Sequence, residues 1–378
     1  MAAVNGEGAS RRLGLAILCA GLVFVTFAMA GPRSAFLVII GLGFGFVLEG
    51  LRFGFTGPWR AIVNDRDGRG LSAQLLAIAL SAVVIFPLLA AFPSELNGAY
   101  APIGIAMVGA AFVFGLCMQI VMGCGSGTLV NVGSGNAIAG LAFVGFVLGS
   151  FFGSLHLAWW TSLGSLPTYT LQGVFGNGAG LVMTLLGLSL VAAITIWRAH
   201  PGKRLPGRRL IIAAILLAGL AVLNLVIAGQ SWGVVYGLGL WGAKLVSATG
   251  VELANNVFWG APAHAERLQQ SILTDVTSLT NIGLILGAYT VMRWRAEPSA
   301  QVAPLAPASW LLVGLAGLVL GYSARVAFGC NVGAFFSGIS TGSLHGWAWF
   351  VAAFCGSIIG VKLRPILVRA ERPAVGGE

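Results

Sequence analysis

Long apolar segments separated by short polar connections run along most of the chain. A helix needs roughly 20 mostly apolar residues to cross the hydrocarbon core of a membrane, and windows of that length recur throughout. The pattern predicts an all-α integral membrane protein with about nine to eleven transmembrane helices. The candidate spans lie at 13–30, 35–51, 71–92, 101–122, 137–155, 177–197, 210–229, 232–248, 271–292, 310–328 and 343–361.

The basic residues collect at the ends of these apolar segments. They cluster at Arg11-Arg12, at 198–209 and at 362–372, which is positive-inside patterning. A lipid bilayer therefore accounts for the net charge of +10, and no nucleic-acid partner is expected. If both termini and the basic loop face the cytoplasm, each side of the loop needs an even number of crossings, yet six candidate spans precede it and five follow. A re-entrant half-helix, which enters and leaves on the same side, would restore the balance.

The composition also indicates that the chain lies in a lipid bilayer rather than in water. Hydrophobic residues make up 57% of the chain and charged residues 8%, and the mean hydropathy is +0.92. These values lie far from those of soluble globular domains. Beside so many spans, 378 residues leave no room for a soluble catalytic domain. The 56 glycines predict close helix packing and interrupted helices.

An internal repeat organises the chain. The segment Gly123-Cys124-Gly125-Ser126-Gly127 recurs as Gly329-Cys330-Asn331-Val332-Gly333, so both copies read G-C-x-x-G. The helices that follow also match, because G-S-F-F-G at 149–153 corresponds to G-S-I-I-G at 356–360. Duplicated halves with glycine-interrupted apolar segments are typical of transporters whose site lies between the halves. We predict an uncleaved N-terminal transmembrane helix at 1–30, a first repeat half at 31–197, a basic cytoplasmic loop at 198–209 and a second, pseudo-symmetric half at 210–378.

The G-C-x-x-G segments carry the candidate chemistry. Glycines let a helix stop and restart, and the start of a helix offers free N–H groups and a partial positive charge to an anion. Cysteine adds a polarizable sulfur and a weak S–H donor that can contact a sulfur atom. Both thiols could instead be small buried packing residues. Their recurrence in register favours a binding role for Cys124 and Cys330.

Neighbouring residues complete the predicted anion site. The serine and asparagine side chains around the motifs could donate hydrogen bonds to an oxyanion or could satisfy backbone groups freed by the helix breaks. Charges within or near spans are costly and are candidates as well. The predicted substrate contacts are Cys124, Cys330, Gly123, Gly125, Gly329, Asn331, Ser134 and Ser340, and the charged candidates are Glu49, Arg52, Lys244, Glu252, Asp275 and Arg325. Arg52 and Lys244 either attract anions at the pathway mouths or reach the membrane interface from helix ends.

Signatures of metal sites and of enzymes are missing from the sequence. The five cysteines show no C-x-x-C spacing, which argues against a zinc site. The chain contains no Walker A and no H-E-x-x-H motif, and no G-x-S-x-G in a strand-turn-helix context. We expect no cofactor, no bound metal and no enzymatic activity.

With these motifs the chain resembles the YeeE/YedE family of bacterial inner-membrane proteins, which is associated with uptake of thiosulfate and related sulfur compounds. The resemblance rests on G-C-G-S-G at 123–127, F-G-C-N-V-G at 328–333 and R-F-G-F-T-G at 52–57. It implies a location in the bacterial inner (plasma) membrane and an hourglass path in which cysteine thiols on short re-entrant helices contact the substrate. Cys124 and Cys330 would inherit that role. The chain departs from the family pattern at Gly54, where the family reads R-F-C-F, so one thiol of the relay is absent.

We therefore expect an inner-membrane importer of a small sulfur-containing anion. Thiosulfate is the first candidate, and the missing thiol at Gly54 leaves sulfite, sulfane sulfur or a selenium analogue open. The alternative is a membrane sensor or sulfane-sulfur acceptor that passes a signal or sulfur to a cytoplasmic partner. A cytoplasmic sulfur-carrier protein could dock on the loop at 198–209.

Overall fold

The backbone is helical almost throughout. The computed structural model describes residues 2–295 and 306–368, with side chains from residue 8 onward, and this part of the chain contains no strand. A 3₁₀ turn at Ile272–Thr274 and a π-helical turn at Asn331–Ser337 interrupt the α-helices. The α-helices are α1 (Ala2–Gly50), α2 (Thr56–Asp65), α3 (Arg69–Ala91), α4 (Ile105–Ile120), α5 (Gly125–Gly133), α6 (Ala137–Leu155), α7 (Leu157–Ser162), α8 (Leu171–Phe175), α9 (Asn177–Arg198), α10 (Arg208–Ala228), α11 (Val235–Ser247), α12 (Pro262–Gln269), α13 (Val276–Arg295), α14 (Pro307–Val326), α15 (Gly338–Ser340) and α16 (Leu344–Leu367).

Eight helical segments of the described chain are long and apolar enough to cross a membrane. The all-α membrane fold is thus confirmed, although nine to eleven spans are predicted from the sequence. The segments predicted at 13–30 and 35–51 both lie in Gly8–Gly50, which counts once among the eight although its 43 residues contain a backbone break at Gly31. The segment at 232–248 forms α11, whose 13 residues are too few to span a bilayer. The segment at 271–292 contains α13, which falls outside the eight and carries buried Thr277, Ser278 and Asn281.

A backbone break divides α1 into two parts. Gly31 has φ 82° and ψ 178°, which no helix accommodates, and Pro32 follows it. The break coincides with the predicted boundary between an N-terminal helix and the first half. Residues before it are mostly exposed, whereas Leu37, Val38 and Phe44 beyond it are buried.

Glycines bring three pairs of long helices into backbone contact: α1 with α13, α4 with α16, and α6 with α14. A Cβ added at Gly149 of α6 would run into the Leu318 carbonyl oxygen on α14. A Cβ at Gly356 of α16 would run into the Phe112 carbonyl oxygen on α4. The two copies of the G-S-x-x-G motif therefore perform the same packing task in two different helix pairs. Small residues that allow such close approach are the usual way of packing helices in lipid.

Three turns share one backbone conformation. Arg52, Met122 and Phe328 have φ values of 51°, 60° and 58°, in the left-handed region. The next residue in each turn donates its N–H to a carbonyl five residues earlier: Phe53 to Leu48, Gly123 to Met118 and Gly329 to Ala324, at 2.9, 3.1 and 2.9 Å. A short helical segment then begins two or three residues further on. The repeated turn agrees with an internal duplication, while the duplication itself and the re-entrant path of the short helices stay predictions.

Candidate functional site

Cys124 is the residue immediately before α5. Its backbone is extended, with φ −84° and ψ −167°, and its carbonyl accepts the Thr128 N–H at 2.8 Å. The side chain is completely buried, and its sulfur lies 3.5 Å from the Ser126 hydroxyl oxygen. The helix-breaking glycines therefore place this thiol at a helix start, as the motif predicts.

Cys330 repeats this geometry in the second half of the chain. Its φ and ψ are −106° and −167°, and its carbonyl accepts the Ala334 N–H at 2.8 Å. The side chain is completely buried as well. The segment that follows begins as a π-helical turn and continues into α15.

The two motifs meet in the interior. A methyl group added at Gly125 would come within 2.8 Å of the Cys330 sulfur, so this sulfur rests against the first turn of α5. The backbone N–H groups of Gly125, Val332 and Gly333 point at the same sulfur. Both thiols are free. A sulfur atom between the starts of two helical segments lies where their partial positive charges add.

Two polar side chains of the G-C-x-x-G segments have no hydrogen-bond partner among the described residues. The Asn331 amide is completely buried, and neither its oxygen nor its nitrogen has a hydrogen-bond partner among the described residues. The Thr128 hydroxyl within the first turns of α5 is likewise buried and unpartnered within that part of the chain. A buried polar group left unpaired costs about 1–3 kcal/mol. The amide next to Cys330 therefore has unused capacity to donate and to accept hydrogen bonds.

Two cavities flank the cysteines at opposite ends of the molecule. The first, of about 460 Å³, is lined by Ser126 and Gly127 of α5 and by Asn136, the N-cap of α6. The second, of about 610 Å³, is lined by Gly329 and Gly333 and by Leu157, just beyond the other end of α6. A 19-residue helix is roughly 28 Å long. We call the first the basic-end cavity, because Arg52, Arg60 and Arg364 line it, and the second the far cavity.

An aromatic cluster separates the two cavities. Phe55 lines the basic-end cavity and Trp232 the far cavity, and their ring centroids are 6.5 Å apart. Phe336 of the π-helical turn contacts both rings, at 6.2 and 5.8 Å, and Phe44 stacks on Trp232 at 3.8 Å. We call these four residues the aromatic barrier. We call the region between the two cavities, which contains the aromatic barrier and the two G-C-x-x-G starts, the waist. An hourglass path through it stays a prediction.

The structure separates the charged candidates. Arg52 and Glu49 line the basic-end cavity, and Arg325 and Asp275 line the far cavity. Glu252 is exposed. Lys244 lies outside both cavities and donates to the carbonyl oxygens of Leu268 and Gln270, at 2.7 and 2.6 Å.

Two charged residues of the far cavity, Arg267 and Asp275, form an ion pair, so their charges compensate each other. Arg267 lies 3.6 Å from Asp275, whose second carboxylate oxygen accepts the Ser278 N–H at 2.7 Å. Burial, together with the nearby Arg325 and Arg267, lowers the pKa of His264, which keeps this side chain neutral at physiological pH.

Four predicted contacts lie in less direct positions. The N–H groups of Gly123 and Gly329 are used by their own turns. Ser134 caps the far end of α5, nine residues or roughly 13 Å along the helix from its start. The Ser340 hydroxyl donates to the Ser337 carbonyl oxygen at 3.3 Å. Their contact with a substrate stays a prediction.

Several lining residues were not singled out from the sequence. Arg60 lies three residues after the R-F-G-F-T-G motif, which is a local signal that could have identified it. Tyr236, Phe258 and the aromatic barrier carry no such signal, because their positions are far apart in sequence. Within the described residues, no group of three or more His, Cys, Asp or Glu side chains could hold a metal ion.

Comparison with known proteins adds independent evidence. The family model described as sulphur transport matches residues 51–359. A thiosulfate transporter of Spirochaeta thermophila, TsuA, is 26% identical over 331 residues, which cover 82% of this chain and 92% of that protein. The thiosulfate transporter TsuA of Escherichia coli is 26% identical over 363 residues, covering 89% and 96%. An Escherichia coli protein named probable transporter YedE is 30% identical over 152 residues, covering 40% and 37%.

The matched region includes all three left-handed turns and both G-C-x-x-G segments. The family resemblance drawn from R-F-G-F-T-G and the two G-C-x-x-G segments is thereby confirmed, as is a multi-pass membrane protein that transports rather than catalyses. The chain belongs to the sulphur transport family, the YeeE/YedE family.

Proposed function

We propose that the protein imports thiosulfate, or a sulfur anion of the same chemistry, through the waist between its two cavities. The names of the relatives that align over most of their length support this substrate class. The observation that carries the proposal is the burial of Cys124 and Cys330 at two helix starts between cavities at opposite ends of the molecule.

The chemistry of the waist suits an anion with one soft end and one oxygen-bearing end. Backbone N–H groups at helix starts attract an anion through partial positive charges. Because no full positive charge is needed there, the substrate is not held tightly. A thiol offers the terminal sulfur of thiosulfate a polarizable neighbour and an S–H donor. The unpartnered Asn331 amide can exchange its unsatisfied state for hydrogen bonds to the substrate. In this mechanism the two thiols make transient contacts with the anion, and its consumption in the cytoplasm sustains the flux.

Uptake of ³⁵S-thiosulfate tests the proposal directly. Cells that lack their own sulfate and thiosulfate permeases should accumulate label when they express this chain and should not when they carry the empty vector. Inhibition of this uptake by excess unlabelled sulfite or sulfate measures how far the oxygen-bearing end alone is recognised. Absence of uptake from well-expressed, membrane-inserted protein would remove the transport proposal and leave a sensor or sulfur acceptor.

Substitution of Gly54 by cysteine is expected to raise thiosulfate flux several-fold. Gly54 lies two residues after left-handed Arg52, as Cys124 and Cys330 lie two residues after Met122 and Phe328. A Cβ at Gly54 would meet no atom within 4 Å, so the thiol should fit without disturbing the fold. Uptake is measured at matched membrane abundance.

The matched control is Gly57→Cys. Gly57 also lines the basic-end cavity and also has open space at its Cβ, but it lies inside α2 rather than at the turn. Equal gains from both substitutions would show that the position of the thiol is irrelevant. Loss of inserted protein from Gly54→Cys alone would mean that the backbone there requires glycine.

A further inference from the structure

Arg325 is a half-buried cation for which the described chain supplies no anion. It lines the far cavity at the last turn of α14, and no described carboxylate lies within 4 Å of it. The other arginine of that cavity, Arg267, is paired with Asp275. Removing a charge from water without a partner is unfavourable, so such groups are normally paired or hydrogen-bonded.

The contacts that Arg325 does make hold its position and leave donors free. Its Nη2 donates to the Val235 carbonyl oxygen at 3.2 Å. Its guanidinium carbon lies 5.6 Å from the Tyr236 ring centroid and 5.3 Å from the Phe258 ring centroid. Its Nε is shielded from solvent and has no hydrogen-bond partner among the described residues.

The aromatic residues around Arg325 are themselves fixed. The Tyr236 hydroxyl lies 3.0 Å from His264 Nδ1, and the His264 ring stacks on Phe258 with 4.1 Å between centroids. Aromatic faces stabilise a guanidinium without neutralising it. The charge is therefore preserved and oriented, which is the requirement for recognising a ligand.

The position of Arg325 relates it to the cysteine path. It lies three residues before Phe328, the left-handed residue that leads through Gly329 into Cys330. Gly329 and Gly333 line the same cavity. An anion in the far cavity therefore meets Arg325 on its way to the waist.

We propose that Arg325 is the capture and selectivity residue of the far cavity, binding the oxygen-bearing face of a tetrahedral sulfur oxyanion before the sulfur end reaches Cys330. The planar fork of a guanidinium matches two oxygens of an SO₃ group, as it matches carboxylate and phosphate. Selection at this residue acts on charge and oxygen geometry, whereas selection at the thiols acts on the terminal sulfur. The inference rests on the proposed function, because it assigns one step of that transport to a named side chain.

Equilibrium binding of ³⁵S-thiosulfate to the purified full-length protein tests this inference separately from transport. Arg325→Gln should weaken binding by roughly tenfold or more, because a charge-assisted two-pronged contact is lost. Arg325→Lys keeps the charge without the fork and should fall in between. Arg33→Gln is the matched control, since Arg33 caps the carbonyl ends of α10 at Ile227 and Ala228 and lies outside the cavity.

Each result separates the two ideas. If the wild type binds and takes up thiosulfate and Arg325→Gln binds it with the same dissociation constant, the capture role is overturned and the transport proposal stands. Failure of the wild type to bind or transport any sulfur oxyanion would overturn both. If Arg325→Gln does not fold, as judged by its elution and thermal unfolding, Arg325→Lys decides, and wild-type affinity in that folded variant would also overturn the capture role.

Discussion

Thiosulfate uptake is expected to fall by roughly 10- to 100-fold when Cys124 or Cys330 is replaced by alanine, because a donor contact to an anion contributes about 1.5–3 kcal/mol. The fold should survive. Each substitution removes a single sulfur atom next to a glycine-rich turn, and the sulfur of Cys124 has only the Ser126 hydroxyl as its side-chain hydrogen-bond partner in the described residues. Uptake of ³⁵S-thiosulfate at matched membrane abundance gives the answer.

Two other cysteines provide controls for this expectation. Cys117 is buried within α4, outside both cavities, and Cys355 is exposed on α16. Alanine at either position should leave uptake unchanged. Cys124→Ser separates hydrogen bonding from polarizability, since the hydroxyl donates but lacks the soft sulfur. Wild-type rates in both Cys124→Ala and Cys330→Ala would eliminate the thiol contacts from the mechanism.

Gly149→Val is expected to prevent accumulation of folded protein. The added side chain would enter the Leu318 carbonyl region of α14, where backbone rather than a flexible side chain must yield. Overpacking costs typically about 1–3 kcal/mol even where side chains can adjust, and the contact here allows less adjustment. Thermal unfolding and size-exclusion chromatography in detergent report the loss.

Gly140→Val tests whether position, and not valine itself, is responsible. Gly140 lies on the same helix, and a Cβ there would meet nothing within 4 Å. This variant should accumulate and unfold at the wild-type temperature. Equal behaviour of the two variants would show that α6 and α14 can separate at little cost.

The membrane fold was predictable because lipid imposes long apolar helices on the sequence. The bounds of individual spans were less predictable, since apolar character persists where the helix does not. Trp232 and Val234 precede the short helix α11 and are apolar and buried, but they belong to a non-helical connection that is packed inside the protein. From hydropathy alone, this stretch is predicted to be a transmembrane span.

In the candidate site, the features that depend on local sequence could be predicted, and those that depend on tertiary packing could not. Glycine-broken helix starts are local, so the sequence located Cys124 and Cys330 at them. The meeting of Cys330 with Gly125 depends on packing between distant segments and has no local signature. Lys244 and Arg325 look alike as isolated charges in apolar sequence, yet one caps carbonyls near α12 and the other lines a cavity.

The glycine contacts between the long helices also bear on how substrate can move. Helices whose backbones touch along α4 and α16, and along α6 and α14, have no side-chain layer on which to slide. Large rocking of one half against the other would require breaking these contacts, so we expect a stationary scaffold in which only the rings at the waist rotate. We expect such a protein to act as a facilitator: net movement should follow the thiosulfate gradient and should reverse when the gradient is reversed.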